Sequence, residues 1–385
     1  MLPPRPWMTE EHHLFADSAA RFFEAELTPH IDAWREAGMV DRDFWRKAGA
    51  AGLLGPAAPE ALGGAGGDVS FDAIVGMGQT RAGDANWGWS AHNIVLHYML
   101  SYATEAQRQR WIPGMVSGDL VAAIAMTEPD TGSDLQAIKT RAVRSGDEYV
   151  INGSKLYITN GQTADLIVVV CKTDPAQGAR GVSLVVVEAD AAEGFTRGRN
   201  LRKVGLDGAD TSELFFDDVR VPAWNLLGEE EGRGFVQLMS QLPWERLMLA
   251  VLADASMESV IAETLAYVKQ RRAFGQRVMD FQNTRFKLAE CRTRQNVTRA
   301  FVDNCMVSLV KGELGADEAA QAKWWACNTF NRVVDECLQL HGGAGLMLET
   351  PVAHHYRDSR FGRIVGGTEE IMKEIIARSM DDEDG

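Results

Sequence analysis

Glu148-Tyr149-Val150-Ile151-Asn152-Gly153-Ser154-Lys155-Leu156-Tyr157-Ile158-Thr159 decides how this chain is read. β-Branched and aromatic residues flank Asn152-Gly153 on both sides. Asn-Gly accepts positive φ at both central positions of a two-residue turn, so the spacing predicts a tight hairpin there. Further β-branched runs of strand length follow at Leu166 to Val170 and Val182 to Val187, and Leu214 to Val221 ends at Pro222. No helical stretch separates them, so an antiparallel sheet is expected rather than a doubly wound parallel one.

Outward from this stretch the periodicity changes twice. Residues before it, from about Thr9 to Gly118, read as helices broken by glycine and proline, with Leu14, Phe15, Phe22, Phe23 and Leu27 at helical spacing. Thr9 suits an N-cap, and His12 stands where a capping box wants Glu or Gln, an imperfect box. Gly63-Gly64-Ala65-Gly66-Gly67 reads as a break between helices; it follows no strand and does not fit a dinucleotide-binding fingerprint. Beyond the β region, Leu247, Val251, Asp254, Met257 (or Glu258), Ile261, Leu265 and Val268 repeat near every 3.6 residues. Long helices are expected from Gln282 to Gly312 and Asp317 to Leu340, a glycine break at Gly342-Gly343-Ala344-Gly345, and a last helix from Thr368 to Met380. The expected architecture is a multidomain α+β chain: an N-terminal α-helical domain (1–119), a middle β domain (120–228) and a C-terminal helical bundle (229–385).

At 385 residues and 45% hydrophobic, the chain exceeds what one core needs, which agrees with two or three domains. A net charge of −15 argues against a general nucleic-acid binder, because phosphate binding needs clustered Lys and Arg. The acidic end Asp381-Asp382-Glu383-Asp384-Gly385 reads as a solvated, frayed tail. Cys171, Cys291, Cys305, Cys327 and Cys337 include no Cys-x-x-Cys pair and are odd in number, so reduced thiols and a cytoplasmic or organellar setting are expected. No apolar run reaches membrane-spanning length, and the N-terminus lacks a signal-peptide core.

The segment Ala125-Met126-Thr127-Glu128-Pro129-Asp130-Thr131-Gly132-Ser133-Asp134 is rich in small and hydroxylated residues. Alone, it suits an ordinary turn as well as a cofactor loop. It is followed in order by Asn152-Gly153-Ser154-Lys155, Tyr157-Ile158-Thr159-Asn160-Gly161, Val219-Arg220-Val221-Pro222, Arg271-Arg272-Ala273-Phe274-Gly275, Phe281-Gln282, Gln339-Leu340-His341-Gly342-Gly343 and Gly367-Thr368. This ordered set, from roughly residue 9 to residue 380, resembles the acyl-CoA dehydrogenases. The resemblance implies a middle antiparallel β-barrel-like domain and a C-terminal four-helix bundle. It also implies FAD, an acyl-CoA substrate, an electron-transfer flavoprotein as electron acceptor, and a homotetramer built as a dimer of dimers. Thr127 and Ser133 would face the flavin and the thioester end of CoA. Tyr157 would cover the isoalloxazine, where many relatives place Trp, and Thr159 would bond its polar edge. Arg271, Phe274, Gln282, Gln339 and Gly343 would reach the FAD of a neighbouring subunit, and Thr368 and Glu370 would sit at the FAD phosphate and ribityl region. Read from the residues alone, Arg271 also suits a surface cation and Phe274 a core aromatic.

The ending Ile364-Val365-Gly366-Gly367-Thr368-Glu369-Glu370-Ile371 resembles the family's flavin-side signature, with one exchange. Gly366 stands where most members carry the catalytic Glu. The long-chain and isovaleryl-CoA branches place that base on an upstream helix, just before an Arg, and Leu242-Pro243-Trp244-Glu245-Arg246 matches the pattern. The resemblance therefore assigns Glu245 as the base, with Gly366 clearing space beside it and Arg246 in a structural or CoA-side role. Residue physics offers another reading: Pro243 suits a first helical turn, where a Glu is favoured by the helix dipole alone. Trp87 and Trp89 suit either the far end of an acyl pocket or helix packing. His92, His97 and His341 read as packing or hydrogen-bonding residues, since no carboxylate–histidine cluster accompanies them. The expected reaction is α,β-dehydrogenation of an acyl-CoA. The alternatives are a flavin oxidase or monooxygenase on the same fold and, third, an acyl-CoA binder without catalysis.

Overall fold

The computed structural model describes residues 3–83 and 87–382; Glu383, Asp384 and Gly385 of the acidic tail lie outside them, as does Asn86 beside Trp87. Six helices come first: α1 (Glu10–Glu26), α2 (Ile31–Ala37), α3 (Arg42–Ala50), α4 (Ser70–Arg81), α5 (Trp89–Tyr102) and α6 (Glu105–Ser117). Thr9 caps α1, and His12 fills the Glu or Gln place of the box, its Nδ1 accepting the Thr9 N–H at 3.1 Å. An imidazole nitrogen thus does what a carboxylate oxygen usually does.

The middle region is a seven-stranded sheet: β1 (Ala122–Ala125), β2 (Arg141–Ser145), β3 (Glu148–Thr159), β4 (Leu166–Lys172), β5 (Val182–Glu188), β6 (Phe195–Asn200) and β7 (Thr211–Pro222). The expected hairpin at Asn152-Gly153 is not there. β3 runs straight through those residues, and the chain reverses at Gly146-Asp147, pairing Ser145 with Glu148. Asn152-Gly153 instead makes a bulge against β7, where the register shifts between Ile151 and Gly153. Gly153 has φ +150, and a Cβ there would sit 2.4 Å from Thr140 Oγ1, so Gly is required by close approach rather than by a turn. The sheet is also not wholly antiparallel: β1 lies parallel to β4, and Arg141 pairs in parallel with Lys172.

Strand β4 explains the continuous apolar run in the sequence. Leu166, Val168 and Val170 pack under α5 and α6, whereas Ile167, Val169 and Cys171 face the interior of the curled sheet. Both faces of the strand are covered, so the polar half of the alternation disappears.

The chain then returns to helix with α7 (Gly234–Gln270), the short hairpin β8 (Arg272–Ala273) and β9 (Gln276–Arg277), α8 (Gln282–Val310), α9 (Ala316–His341), α10 (Pro351–Ser359) and α11 (Glu369–Asp382). Their shared core holds Leu247, Val251, Met257, Val260 and Ile261 of α7 against Val302, Met306, Phe330 and Val334, and takes in Ile74 and Met77 of α4. All five cysteines are buried free thiols. Among the described residues no helix is long and apolar enough to cross a membrane.

Asn160 ties the first helical region to the sheet. It holds φ +62, and its Nδ2 donates to Gly88 O at 2.9 Å and Ala122 O at 3.0 Å. Asn160→Ala removes both of these buried hydrogen bonds and loses the residue type that tolerates this φ. We expect it to destabilise the fold by roughly 2–4 kcal/mol, read by urea or thermal unfolding; an unchanged midpoint would refute the tie.

Candidate active site

Glu245 sits well inside α7, a helix of 37 residues that starts at Gly234, and Pro243 lies in the helix interior. This removes the reading of Glu245 as a first-turn residue placed by the helix dipole. Pro243 lacks an N–H, so it frees the Met239 carbonyl one turn back from its helical partner. Glu245 is only 7% exposed, and burial pushes its carboxyl up to about 7. The phenol of Tyr98 on α5 donates to Glu245 Oε1 at 3.0 Å and partly offsets that rise, as do the charges of Arg246 and His97. His97 packs against Trp244, ring centroids 4.1 Å apart and the planes tilted by 36°, and its Nε2 lies 2.7 Å from Asp72 Oδ2 on α4.

Arg246 projects away from Glu245, as adjacent helix positions do, and its Nε donates to Gly366 O at 3.1 Å. Lys323 of α9, fully buried, donates to the next carbonyl, Gly367 O. Two buried cations therefore pin the Gly366-Gly367 turn, in which both residues have positive φ, +67 and +100. A Cβ on Gly366 would lie 2.9 Å from Leu249 Cδ1, one helical turn beyond Glu245. From there a cavity of about 70 Å³ runs along the same face of α7, lined by Leu249, Leu252, Ala253 and Ser256, with Ser90 and Phe330 among the other walls. Trp87 and Trp89 lie elsewhere, in a cluster with Trp34, Phe44 and Trp45; Trp87 stands 4.6 Å from Trp45, centroid to centroid. They are packing residues.

The loop after β1 is fastened by a buried ion pair. Lys155 Nζ donates to Glu128 Oε1 at 2.9 Å and to Met126 O at 3.0 Å, and Glu128 also accepts the N–H groups of Lys139 and Thr140. Thr127 is bound to the end of β3 through its carbonyl, which accepts from Leu156 N at 2.9 Å. Tyr157 follows with φ +61 and is 64% exposed, so a strained backbone turns an aromatic face outward. Thr159 is half-buried and Ser133 exposed. Thr368 spends its hydroxyl on α11, accepting from Ile371 N at 3.4 Å, and Glu370 is exposed in the first turn of that helix.

The remaining predicted residues gather at the other end of the bundle. Arg271 closes α7, Gln282 opens α8, and Gln339 and Gly343 flank the end of α9. Tyr267 joins these ends, stacking on His341 at 4.4 Å and donating to its carbonyl at 3.2 Å. His341 and His97 thus each hydrogen-bond and pack against an aromatic ring. Phe274 is 95% exposed with φ +51 at the tip of the β8–β9 hairpin, which excludes a core role. Glu245 and Arg271 lie on one helix, 26 positions apart, or roughly 39 Å. Tyr98 and Lys323 were not legible in the sequence: Tyr98 is 147 positions from Glu245, and neither carries a motif.

Three family descriptions match in this order: "Acyl-CoA dehydrogenase, N-terminal domain" over residues 9–119, "middle domain" over 123–219 and "C-terminal domain" over 232–380. The chain belongs to the acyl-CoA dehydrogenase family. It is 47% identical to the mouse mitochondrial long-chain specific acyl-CoA dehydrogenase, over 97% of this chain and 87% of that protein. It is 34% identical to the isovaleryl-CoA dehydrogenase of Pongo abelii, over 97% and 89%. The acyl-CoA dehydrogenase structure from Geobacillus kaustophilus superposes with a TM-score of 0.95 at 47% identity, covering 98% of this chain and all of that one. The helical, curled-sheet, helical order is that family's fold, and the chain is an oxidoreductase of it.

The conformation at Gly366 makes a stability prediction. Gly366→Ala puts a side chain at φ +67, and we expect a loss of about 1–2 kcal/mol in urea unfolding. The Leu249 contact adds little, because its methyl is the free end of a flexible side chain. A variant as stable as the parent would contradict the left-handed turn.

Proposed function

We propose that this protein carries out FAD-dependent α,β-dehydrogenation of an acyl-CoA thioester to the trans-2-enoyl-CoA, with Glu245 as the base. The observation that carries this reading is a buried carboxylate, pushed up to about 7, one helical turn before Leu249, the side chain that borders both a mostly apolar cavity and the glycine at the family's usual base position. A free Glu, near pKa ~4.3, is a weak base in water; burial against apolar walls strengthens it. An acyl chain extended from the thioester would follow Leu249, Leu252 and Ala253 away from Glu245.

The cofactor is FAD. The residues at the edge of the sheet suit it: an outward aromatic face at Tyr157, and hydroxyls at Thr127, Ser133 and Thr159 that make no side-chain hydrogen bond among the described residues. When bound, FAD supplies at N5 the acceptor for the hydride leaving the β carbon. The residues of this chain do the rest. Glu245 takes the α proton, Ser133 and Arg246 flank the CoA side, and the Gly366-Gly367 turn leaves room for the reacting carbons. Arg271, Phe274, Gln282, Gln339 and Gly343 serve the cofactor of a neighbouring subunit in a homotetramer. Their distance of roughly 39 Å along α7 from Glu245 supports this, since one site cannot draw on both ends of that helix. Thr368 and Glu370 stay with the turn, at the phosphate and ribityl side. An electron-transfer flavoprotein is the proposed electron acceptor.

Glu245→Gln should keep its FAD absorbance but lose about 10²–10⁴-fold in the rate of anaerobic flavin bleaching by acyl-CoA. In the parent, kcat/KM should rise with pH to a plateau above about 7, because the carboxyl must be ionised to accept the proton. Undiminished bleaching by the Gln variant would refute Glu245 as the base. Peroxide released in step with substrate consumption would instead favour an oxidase. Adding Gly366→Glu to the Gln variant should restore part of the rate.

A further inference from the structure

Tyr98 is the largest polar side chain facing Glu245 that no catalytic step requires. It is wholly buried in α5, and its ring stands edge-on to Tyr102, centroids 6.0 Å apart. Its hydroxyl donates to Glu245 Oε1 at 3.0 Å, and no other side-chain donor reaches that carboxylate among the described residues. The groups facing the carboxylate from neighbouring elements are few. They are His97 and Tyr98 on α5, with Tyr102 a turn beyond, and Arg246 next to it on α7. Arg246 is committed to the Gly366 carbonyl and His97 to Asp72, so neither orients the carboxylate directly. Lys323 on α9 is committed to Gly367.

We propose that Tyr98 is a positioning residue for the base: its hydroxyl holds Oε1 and leaves Oε2 as the one oxygen presented to the substrate's α carbon. The inference rests on Glu245 being the base. A carboxylate on a three-bond side chain in an apolar pocket otherwise rotates freely about its last bond, and the hydrogen bond removes that freedom. Tyr98 suits the task because it stays protonated. Burial, and then the neighbouring carboxylate, raise its phenol well above the usual range, so it remains a donor across the working pH. The bond also favours the ionised carboxylate, which accepts it, over the protonated one. Tyr98 therefore limits how far burial raises Glu245: the base is strong enough to take the proton yet still ionised near neutrality. The element pairing is what makes this possible. α5 crosses α7 at this point, with Tyr102 OH donating to Gln237 O at 3.1 Å two turns earlier, so the phenol is delivered by a rigid contact between helices.

Tyr98→Phe removes one oxygen and keeps the ring. In the full-length holoenzyme we expect a normal flavin spectrum and an acidic limb of kcat/KM shifted upward by about one pH unit, a tenfold change in the ionised fraction on that limb. At pH 7 kcat should fall about tenfold, and raising the pH should recover only part of it, since orientation is lost as well as ionisation. A merely structural role would lower the melting temperature without moving the limb. Tyr98→Gln supplies a donor of different reach; it should keep the limb near its parental place while kcat falls. An unmoved limb with an unchanged kcat in Tyr98→Phe overturns the proposal. If Glu245→Gln also proves fully active, the base assignment has failed; if Glu245→Gln is inactive while Tyr98→Phe behaves as the parent, only the positioning role has failed.

Discussion

A carboxylate buried in the middle of a long helix is the constraint around which this site is built. Water no longer solvates Glu245, and its pKa rises from an ordinary 4.5 to about 7. That rise burdens the fold. Below pH 4.5 the carboxyl is protonated whether folded or not, and nothing is lost. Between 4.5 and 7 the unfolded chain ionises first, so stability falls as pH rises, by about 3 kcal/mol in all. The surrounding residues make the burial tolerable: a phenol bonds one oxygen, a guanidinium lies beside it, and His97, packed against Trp244, also favours the ionised form.

The same helix distributes work along its length. Arg246 reaches the Gly366 carbonyl, and Lys323 reaches the next one from α9. Neither cation is spent on Glu245. Each hydrogen-bonds a carbonyl of a positive-φ turn that side chains avoid, and so holds the turn whose glycine leaves free the space into which the usual base would project. The Gly366 exchange and the Glu245 carboxylate are thus two halves of one arrangement, coupled through Arg246. Farther along α7, Leu249 and Leu252 line the cavity, and Arg271 marks the opposite end.

Much of this was legible in the residues, and what was not has physical reasons. The helices expected from Gln282, Asp317 and Thr368 lie within two residues of the observed ends, whereas α7 begins at Gly234, well before the repeat that starts at Leu247. Asn152-Gly153 misled because a dipeptide that tolerates positive φ serves a bulge as readily as a turn; the deciding contact, Gly153 against Thr140, is between segments the sequence does not align. The parallel pairing of β1 with β4 was hidden for the same reason. Glu245 is singled out as the proposed base by the absence of a carboxylate at 366, yet Pro243 suggested the wrong helix position for it. Trp87 and Trp89 look alike as pocket walls or core, and only their burial in one cluster, with Trp87 against Trp45 and Phe44, separates the two. Tyr98 and Lys323 act through tertiary contacts alone.

The most direct measurement is a crystal structure of the FAD-bound enzyme with an unreactive acyl-CoA analogue. The α carbon should lie about 3–3.5 Å from Glu245 Oε2, with Tyr98 still on Oε1 and the acyl chain running past Leu249. An α carbon beyond the reach of Glu245, or one set against a different carboxylate, would contradict a base relocated to this helix.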